Sequence, residues 1–292
     1  MLYVWVSDMK DSKYFKWFTT VPVILYALLF IALPILYIFI ISFFKSDSYG
    51  GMIHVFSLIN YFELFNGVYL KVILQSLFIA GLTTLLCILI AYPFAICVSH
   101  KSEKVQKVLM TLIMVPFLTN SLIRMYGWIV LLRKSGVINQ FFIGAGIIDA
   151  PLNLMYNNFG IILGMVYTLL PFMILPLYSS VSTIDKKLIE AASDLGASKW
   201  KIFKKIILPM TKPGLFNGSL MVFTPALGYF FVVDILGGGK MMILGNLIKN
   251  QFLTARNWPF GAAISVLLII VTYSLIAYYR KKGGKMDDLG GM

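Results

Sequence analysis

The sequence is poor in charged residues, which make up 13% of its 292 positions. A soluble domain carries about 25%, so a water-soluble enzyme of this length would lack the polar residues to cover its surface. Acidic residues are scarcest, with 12 Asp and Glu against 25 Lys and Arg. In a soluble protein this excess would favour nucleic-acid binding, but membrane proteins carry the same excess in their cytoplasmic loops.

Cysteine and histidine are nearly absent, with two residues of each. Cys87 and Cys97 stand ten residues apart in one apolar run. On a helix this spacing is about 15 Å, too long for a disulfide bond. His54 and His100 have no neighbour at the spacing of metal ligands. We therefore expect neither a disulfide nor a metal site.

Apolar residues are abundant, at 59% of the chain, and gather in six runs of 22–27 residues. Each run can cross the roughly 30 Å hydrocarbon core of a bilayer as a helix. The runs are 18–44, 72–98, 108–132, 159–181, 213–236 and 258–279. Uncharged runs of this length are typical of helices and not of barrel strands. The sequence predicts an all-α membrane protein with six transmembrane helices.

The distribution of positive charge predicts the orientation. One side of the predicted membrane holds 17 Lys and Arg residues and the other holds 7, with Arg124 inside a span as the last of the 25. The side that is richer in Lys and Arg stays in the cytoplasm. Both termini are therefore expected in the cytoplasm, and nucleic acid is not expected as a partner.

Proline residues lie inside five of the six runs. They are Pro34, Pro93, Pro116, Pro171, Pro176 and Pro225. They predict kinks that suit a bundle able to open and close, or they reflect the ordinary frequency of proline in membrane helices.

The outer loop 237–257 predicts an amphipathic helix that lies flat on the membrane or dips into it as a gate. Its spaced residues are Leu244, Leu247, Ile248, Gln251 and Phe252.

The longest cytoplasmic loop, 182–212, predicts a helix–turn–helix. Asp185 is a suitable N-cap for a helix that reaches Leu195, and Gly196 can adopt the left-handed conformation that ends it. Ser198 can cap a second helix. The apolar stripe of that helix comprises Trp200, Phe203 and Ile207, and Pro209 and Pro213 close it. These features leave two interpretations equal, an amphipathic hairpin on anionic lipid and a docking element for a partner protein.

The same loop resembles the EAA loop of the permeases of ATP-binding-cassette importers. The matching residues are Glu190, Ala191, Ala192, Gly196, Ile206, Leu208 and Pro209. The resemblance implies that they form coupling helices seated in a groove of a separate ATPase subunit. It implies that Glu190 makes a polar contact in that groove and that Gly196 forms the turn. It also implies that the apolar residues brace the helix against the bundle.

Three further segments are similar to the spermidine/putrescine permeases, and among them to the B-type permease of the pair. They are 116–128, 234–240 and 257–262. The resemblance implies a type I (MetI-like) importer bundle with a core at 72–279. It divides the chain into a cytoplasmic segment 1–17, a first helix 18–44, the core with its coupling loop 182–212, and a cytoplasmic tail 280–292.

The resemblance implies import of polyamines by alternating access. The expected partners are two copies of an ATPase subunit, a second homologous permease, an extracytoplasmic substrate-binding protein and membrane lipid. The chain has no Gly-x4-Gly-Lys-Ser/Thr sequence, so ATP and Mg are expected on the ATPase subunit. No enzyme activity and no cofactor are expected on this chain. The alternatives are an importer permease for another small solute and an ion-coupled transporter.

Two charges fall inside the predicted spans, Arg124 and Asp234. Burying an arginine costs about 2.5–3.5 kcal/mol, so Arg124 needs a partner, and Asp234 is the candidate. Arg124 is expected to be structural. Asp234 is equally a candidate for holding a substrate ammonium, because a polycation needs carboxylates and aromatic faces. The candidate substrate path is Asn120, Ser121, Tyr126, Trp128, Tyr167, Tyr229 and Asp234.

Overall fold

The computed structural model of the chain describes residues 13–47 and 50–281. Regular structure in these ranges is helical apart from one antiparallel hairpin of two strands, β1 (Phe44–Ser46) and β2 (Met52–Phe56). The described residues separate into two compact units. One comprises the residues up to 65 together with 250–267, and the other comprises 66–249 together with 268–281.

The helices of these ranges are numbered in chain order. They are α1 (Lys13–Ala27), α2 (Leu33–Ile41), α3 (Ile59–Glu63), α4 (Gly67–Ser99), α5 (Glu103–Leu118), α6 (Ser121–Leu132), α7 (Val137–Gly144), α8 (Asn158–Ser182), α9 (Lys186–Asp194), α10 (Lys199–Ile202), α11 (Leu208–Met210), α12 (Lys212–Gly228), α13 (Phe230–Gly237), α14 (Leu244–Leu253) and α15 (Trp258–Lys281). Two π-helical turns, Leu28–Ala32 and Phe203–Ile207, connect α1 to α2 and α10 to α11.

In the first unit, α1 and α2 form one apolar helix with a π-helical turn in its middle. The backbone N–H of Leu33 donates to the carbonyl of Leu28, five residues earlier. The next residue, Pro34, has no N–H to donate. The wider turn accommodates the proline without a break in the helix. Only 6% of the apolar window within Thr20–Ile41 is buried inside the chain, so this helix faces surroundings other than its own chain.

Two asparagine side chains fix the ends of elements in the first unit. Asn60 is 2% exposed, and its Nδ2 donates to the carbonyls of Ser42 at 2.9 Å and Phe44 at 2.8 Å. Ser42 follows the last residue of α2 and Phe44 is the first residue of β1, so Asn60 ties the end of the helix to the start of the hairpin. At the start of α15, the Asn257 side chain accepts from the N–H of Phe260 at 3.1 Å, as an N-cap does.

The core of the second unit is formed by the three helices α4, α8 and α12. The buried face of α8 repeats every four residues, through Ile161, Met165, Leu169, Met173 and Leu177. On α4 the buried face is made of small residues, Ala80, Cys87, Ala91 and Ala95. A Cβ on Gly218 of α12 would lie 2.7 Å from the Met173 sulfur. Close approach of helices through small residues is how membrane helices pack.

Two of the predicted spans are broken. Between α5 and the helices that follow it the axis bends by 95°, and between α12 and α13 it bends by 62°. The first break follows Pro116 and places Thr119 in an extended conformation. The second follows Pro225 and lies at Tyr229. Kinks were one of the two interpretations of Pro116 and Pro225, and in these two spans the bend is sharp enough to divide the helix in two.

The proline residues act differently from one helix to the next. α4 and α8 run through Pro93, Pro171 and Pro176 without a break. Within residues 13–47 and 50–281, four helices are long and apolar enough to cross a membrane, namely Thr20–Ile41, Gly67–Ser99, Asn158–Ser182 and Trp258–Tyr278. With each bent pair counted as one span there are six. The predicted fold class, a helical membrane bundle, is confirmed.

Candidate functional site

Residues 185–210 fold as a helix–turn–helix, which we call the motif segment. The Asp185 carboxylate accepts the backbone N–H of Lys187 at 2.9 Å and caps α9. Gly196 ends the helix with φ of +76°, a conformation that glycine adopts without steric cost. The Ser198 hydroxyl accepts from the N–H of Lys201 at 3.4 Å and begins α10. The two predicted caps and the predicted turn are confirmed.

The second half of the motif segment differs from the prediction. α10 is a single turn, the π-helical turn follows it, and α11 continues through Pro209 where we expected the helix to close. In the π turn the N–H of Leu208 donates to the carbonyl of Phe203, five residues back. The extra residue shifts the hydrogen-bond register just before Pro209, which has no N–H of its own. The chain then turns at Thr211 into α12.

The inner side of the motif segment is fixed to the core of the second unit. Ile202 and Ile207 are buried in that core. The Phe203 ring meets the Tyr92 ring of α4 edge to face, with centroids 5.3 Å apart. Beside this contact the hydroxyl groups of Tyr92 and Thr211 form a hydrogen bond. The segment therefore moves together with the helix bundle.

The outer side of the motif segment carries exposed apolar residues that the sequence pattern did not predict for that face. Leu195, just before the turn, is 88% exposed, and Trp200 is 70% exposed. Trp200 stacks on Phe203 with ring centroids 5.5 Å apart, and it does not point into the bundle as the predicted stripe implied. The three- and four-residue spacing of Trp200, Phe203 and Ile207 would place all three on one face of a regular α-helix. Because α10 ends after one turn and a π-helical turn follows, the three side chains do not share a face.

The motif residues divide between the two sides. Glu190, Ala191, Gly196 and Pro209 are exposed, whereas Ala192, Ile206 and Leu208 are half-buried against the core. The segment thus presents a carboxylate, a small residue and two large apolar side chains to its surroundings. Large apolar side chains that are exposed among polar residues are typical of a protein-binding surface.

The predicted pairing of Arg124 with Asp234 is wrong. Asp234 pairs with Lys249, whose Nζ lies 2.6 Å from Oδ2. Asn246 donates to Oδ1 at 2.6 Å. The guanidinium of Arg124 lies over two aromatic rings, 5.5 Å from the centre of Phe117 and 5.9 Å from that of Tyr167. Its Nε is buried and has no hydrogen-bond partner among the described residues.

Of the candidate path residues, Trp128 and Tyr167 pack beside Arg124, and Tyr229 lies within electrostatic reach of the same guanidinium. Trp128 meets Tyr167 edge to face, with centroids 5.3 Å apart, so Arg124, Trp128 and Tyr167 form one cluster. Tyr229 lies at the break between α12 and α13, and its ring centre is 4.8 Å from that of Phe231. The positions of the other three are Asn120 at the N-cap of α6, Ser121 as its first residue, and Tyr126 on its exposed face.

The predicted helix of the outer loop is present as α14, and its first turn is buried at Leu244, Gly245, Asn246 and Leu247. The N–H of Leu244 donates to the Ser76 hydroxyl at 2.8 Å. A Cβ on Gly245 would lie 2.7 Å from the carbonyl carbon of Gly228, which ends α12. The start of this helix is therefore packed into the second unit, and whether the helix lies flat on the membrane or dips into it stays a prediction.

Comparison with known proteins identifies the family. Residues 88–282, two thirds of the chain, match the family of binding-protein-dependent transport system inner membrane components. The chain belongs to this family. As a binding-protein-dependent inner membrane component it is a multi-pass protein of the bacterial inner membrane.

Two relatives carry the same description, spermidine/putrescine transport system permease protein PotB. The protein of Salmonella typhimurium (strain SL1344) is 45% identical over 273 residues, which are 93% of this chain and 95% of the relative. The protein of Escherichia coli (strain K12) is 46% identical over 261 residues, 89% and 95% of the two chains.

A solved structure shares the fold at low sequence identity. It is a chain of a bacterial ABC transporter involved in the import of the acidic polysaccharide alginate. The TM-score is 0.74 at 16% identity, and the match covers 96% of this chain and 98% of that chain. This binding-protein-dependent transport component therefore has the fold of an ABC transporter membrane subunit.

Proposed function

We propose that the chain is the permease subunit of an ATP-driven importer that carries polyamines, spermidine or putrescine, into the bacterial cytoplasm. The family membership supports the importer, and the relatives described as spermidine/putrescine permeases support the substrate class. The observation that carries the ATP-driven part is the motif segment, which is fixed to the core on one side and exposes Glu190, Leu195 and Trp200 on the other.

The proposed role of the motif segment is to couple a separate ATPase subunit to the helix bundle. Glu190 makes the polar contact, Ala191 allows close approach of the ATPase backbone, and Gly196 shapes the turn. Ala192, Ile206 and Leu208 brace the segment against the core, and Pro209 belongs to its second helix. A force on the exposed side is passed to α4 through Phe203 and Tyr92, because these rings are in contact.

The proposed assembly contains two ATPase subunits, a second homologous permease and an extracytoplasmic substrate-binding protein. ATP and Mg bind to the ATPase subunits, and this chain serves as a transport subunit without its own ATPase site. The proposal places the motif segment in the cytoplasm together with both chain ends, 1–12 and 282–292, which lie outside the described residues. The 17 to 7 distribution of Lys and Arg supports this orientation.

The proposed path for the substrate follows the break between α12 and α13. A polyamine needs carboxylate and aromatic partners, and Asp234, Tyr229 and Phe230 all lie at or just after this break. Trp128 and Tyr167 add aromatic faces, while Arg124 stays a structural cation between its rings. In membrane transporters the substrate site is often formed where a helix is broken.

The test is the ATPase activity of the full complex in proteoliposomes with its binding protein, comparing spermidine and putrescine with unrelated solutes. Stimulation by a polyamine alone is the expected result. Stimulation only by another solute would support the importer function and contradict the assignment of polyamines as the substrate. A chain that associates with no ATPase subunit would overturn the coupling role of the motif segment and reopen the ion-coupled alternative.

A further inference from the structure

The side chain of Lys249 is itself an alkylammonium held by protein groups. It consists of four methylene groups and a primary ammonium, the same chemistry as the aminobutyl end of a polyamine. Its Nζ lies 2.6 Å from Asp234 Oδ2 and 5.5 Å from the centre of the Phe230 ring. A carboxylate together with an aromatic face is the combination that recognises an alkylammonium ion.

The carboxylate is fixed independently of Lys249. Asn246 Nδ2 donates to Asp234 Oδ1 at 2.6 Å and to the backbone carbonyl of Phe230 at 3.1 Å. The Asn246 side-chain oxygen accepts the N–H of Ile243 at 3.2 Å, which sets the orientation of the amide. Asn246 itself is buried. The site therefore keeps its shape when the ammonium leaves.

The ammonium can leave, because the pair is only partly covered. The side chains of Lys249 and Asp234 are 29% and 38% exposed. Ion pairs with this degree of exposure are weak and exchange with ions from solution. A cation that enters from outside can thus reach Asp234, but it must first replace Lys249, since a second ammonium beside the first would be repelled.

We propose that Asp234 and Phe230 form a subsite for one ammonium group of the substrate, and that Lys249 occupies this subsite as a tethered competitor until the substrate arrives. The proposal rests on the proposed function, because it takes the substrate to be a polyamine. The exchange replaces one ammonium by another at an ionised carboxylate, so no proton is transferred and the charge at Asp234 stays balanced. Free alkylammonium ions with one short chain bind weakly because Lys249 competes with them.

The first experiment fills the vacated subsite with n-butylammonium, which reproduces the lysine side chain. The probe is added to the purified full complex, and the melting temperature is measured for the native protein and for Lys249→Ala. We expect a saturable rise of about 2 °C in Lys249→Ala and none in the native complex. The neutral 1-butanol gives no rise in either protein.

Two variants serve as controls for this experiment. Lys240→Ala removes the same charge from an exposed residue that forms no ion pair with a described residue, and it behaves like the native complex. Lys249→Ala combined with Asp234→Asn loses the response to butylammonium. Equal responses in Lys249→Ala and Lys240→Ala, or a response that persists in the double variant, would overturn the subsite.

The second experiment tests the competition with spermidine. Lys249→Met keeps the length of the side chain and removes the ammonium. The spermidine concentration that gives half of the thermal shift falls about two- to fivefold relative to the native complex, and Lys249→Arg stays near the native value. A higher half-saturating concentration in Lys249→Met would assign Lys249 a purely structural role. If spermidine shifts neither protein while butylammonium still acts on Lys249→Ala, the polyamine assignment fails and the ammonium subsite stands.

Discussion

Phe203 meets Tyr92 edge to face, with ring centroids 5.3 Å apart and ring planes at 72°. On its other side Phe203 is stacked by Trp200 at an interplanar angle of 21°. Three aromatic rings therefore run from an exposed surface of the motif segment to a core helix. A docked subunit that displaces Trp200 acts directly on α4.

We expect Phe203→Ala and Trp200→Ala to have different effects. Phe203 is half-buried between two rings, so its truncation costs about 2 kcal/mol of stability and lowers substrate-stimulated ATPase activity. Trp200→Ala lowers the melting temperature of the permease less, because its ring is mostly exposed and loses only the stack on Phe203, and it weakens binding of the ATPase subunit. Thermal unfolding and co-purification measure the two effects. The interpretation is wrong if Trp200→Ala destabilises the permease as much as Phe203→Ala.

Gly196→Ala is expected to destabilise the motif segment by about 1 kcal/mol. No atom lies within 4 Å of the position that a Cβ would take, so the cost comes from the left-handed backbone alone. The matched control is Gly127→Ala in α6, which also has space for a Cβ and has an ordinary helical backbone. Gly127→Ala is neutral or slightly stabilising. Limited proteolysis of the motif segment compares the two, and equal protection in both variants contradicts the strain at Gly196.

Gly245→Ala is expected to disrupt the insertion of α14 against the break in the fifth span. The added Cβ would meet the backbone of Gly228, which cannot move aside as a side chain can. Gly228→Ala is the control, since a Cβ on Gly228 meets nothing within 4 Å. Uptake and melting temperature fall in the first variant and not in the second. Equal losses in both would mean that flexibility at the break, and not the close contact, is what matters.

Double-mutant cycles measure whether Asp234 interacts with Lys249 or with Arg124. Asp234→Asn and Lys249→Gln are expected to couple by about 0.2–1 kcal/mol, because they remove the same partly exposed ion pair. Asp234→Asn and Arg124→Gln are expected to add within about 0.5 kcal/mol, because Arg124 contacts Phe117 and Tyr167 instead. Apparent free energies of unfolding of the complex provide the measurement. Strong coupling to Arg124 would restore the pairing that the sequence suggested.

The local structure of the motif segment was predictable because its signals act over few residues. Asp185 and Ser198 each accept a backbone N–H at the start of a helix, and Gly196 ends a helix in the left-handed conformation. These roles follow from side-chain chemistry and from spacing along the chain. The span count was predictable for a similar reason, since bilayer thickness sets the length of an apolar run.

Which prolines break a span, and which residue pairs with Asp234, depend on tertiary packing and were not predictable. Pro93 and Pro116 look alike in sequence, yet α4 continues through Pro93 and the chain leaves the helix three residues after Pro116. A proline leaves the carbonyl four residues before it without its helical hydrogen bond. Neighbouring helices decide whether another group satisfies that carbonyl so that the helix can continue. The sequence places Lys249 in an outer loop, and it reaches Asp234 because the start of α14 packs into the second unit, where Asn246 bonds both Asp234 and the Phe230 carbonyl.

The helix through Thr20–Ile41 depends on its solvent more than on its neighbours. With 6% of its apolar window covered by the chain, the free energy that keeps it folded comes from transferring apolar side chains into acyl chains and from its own backbone hydrogen bonds. Changing the detergent or the lipid therefore changes the environment of this helix directly. The melting of solubilised protein will report on the core around α4, α8 and α12, and the behaviour of the first span has to be measured in a bilayer.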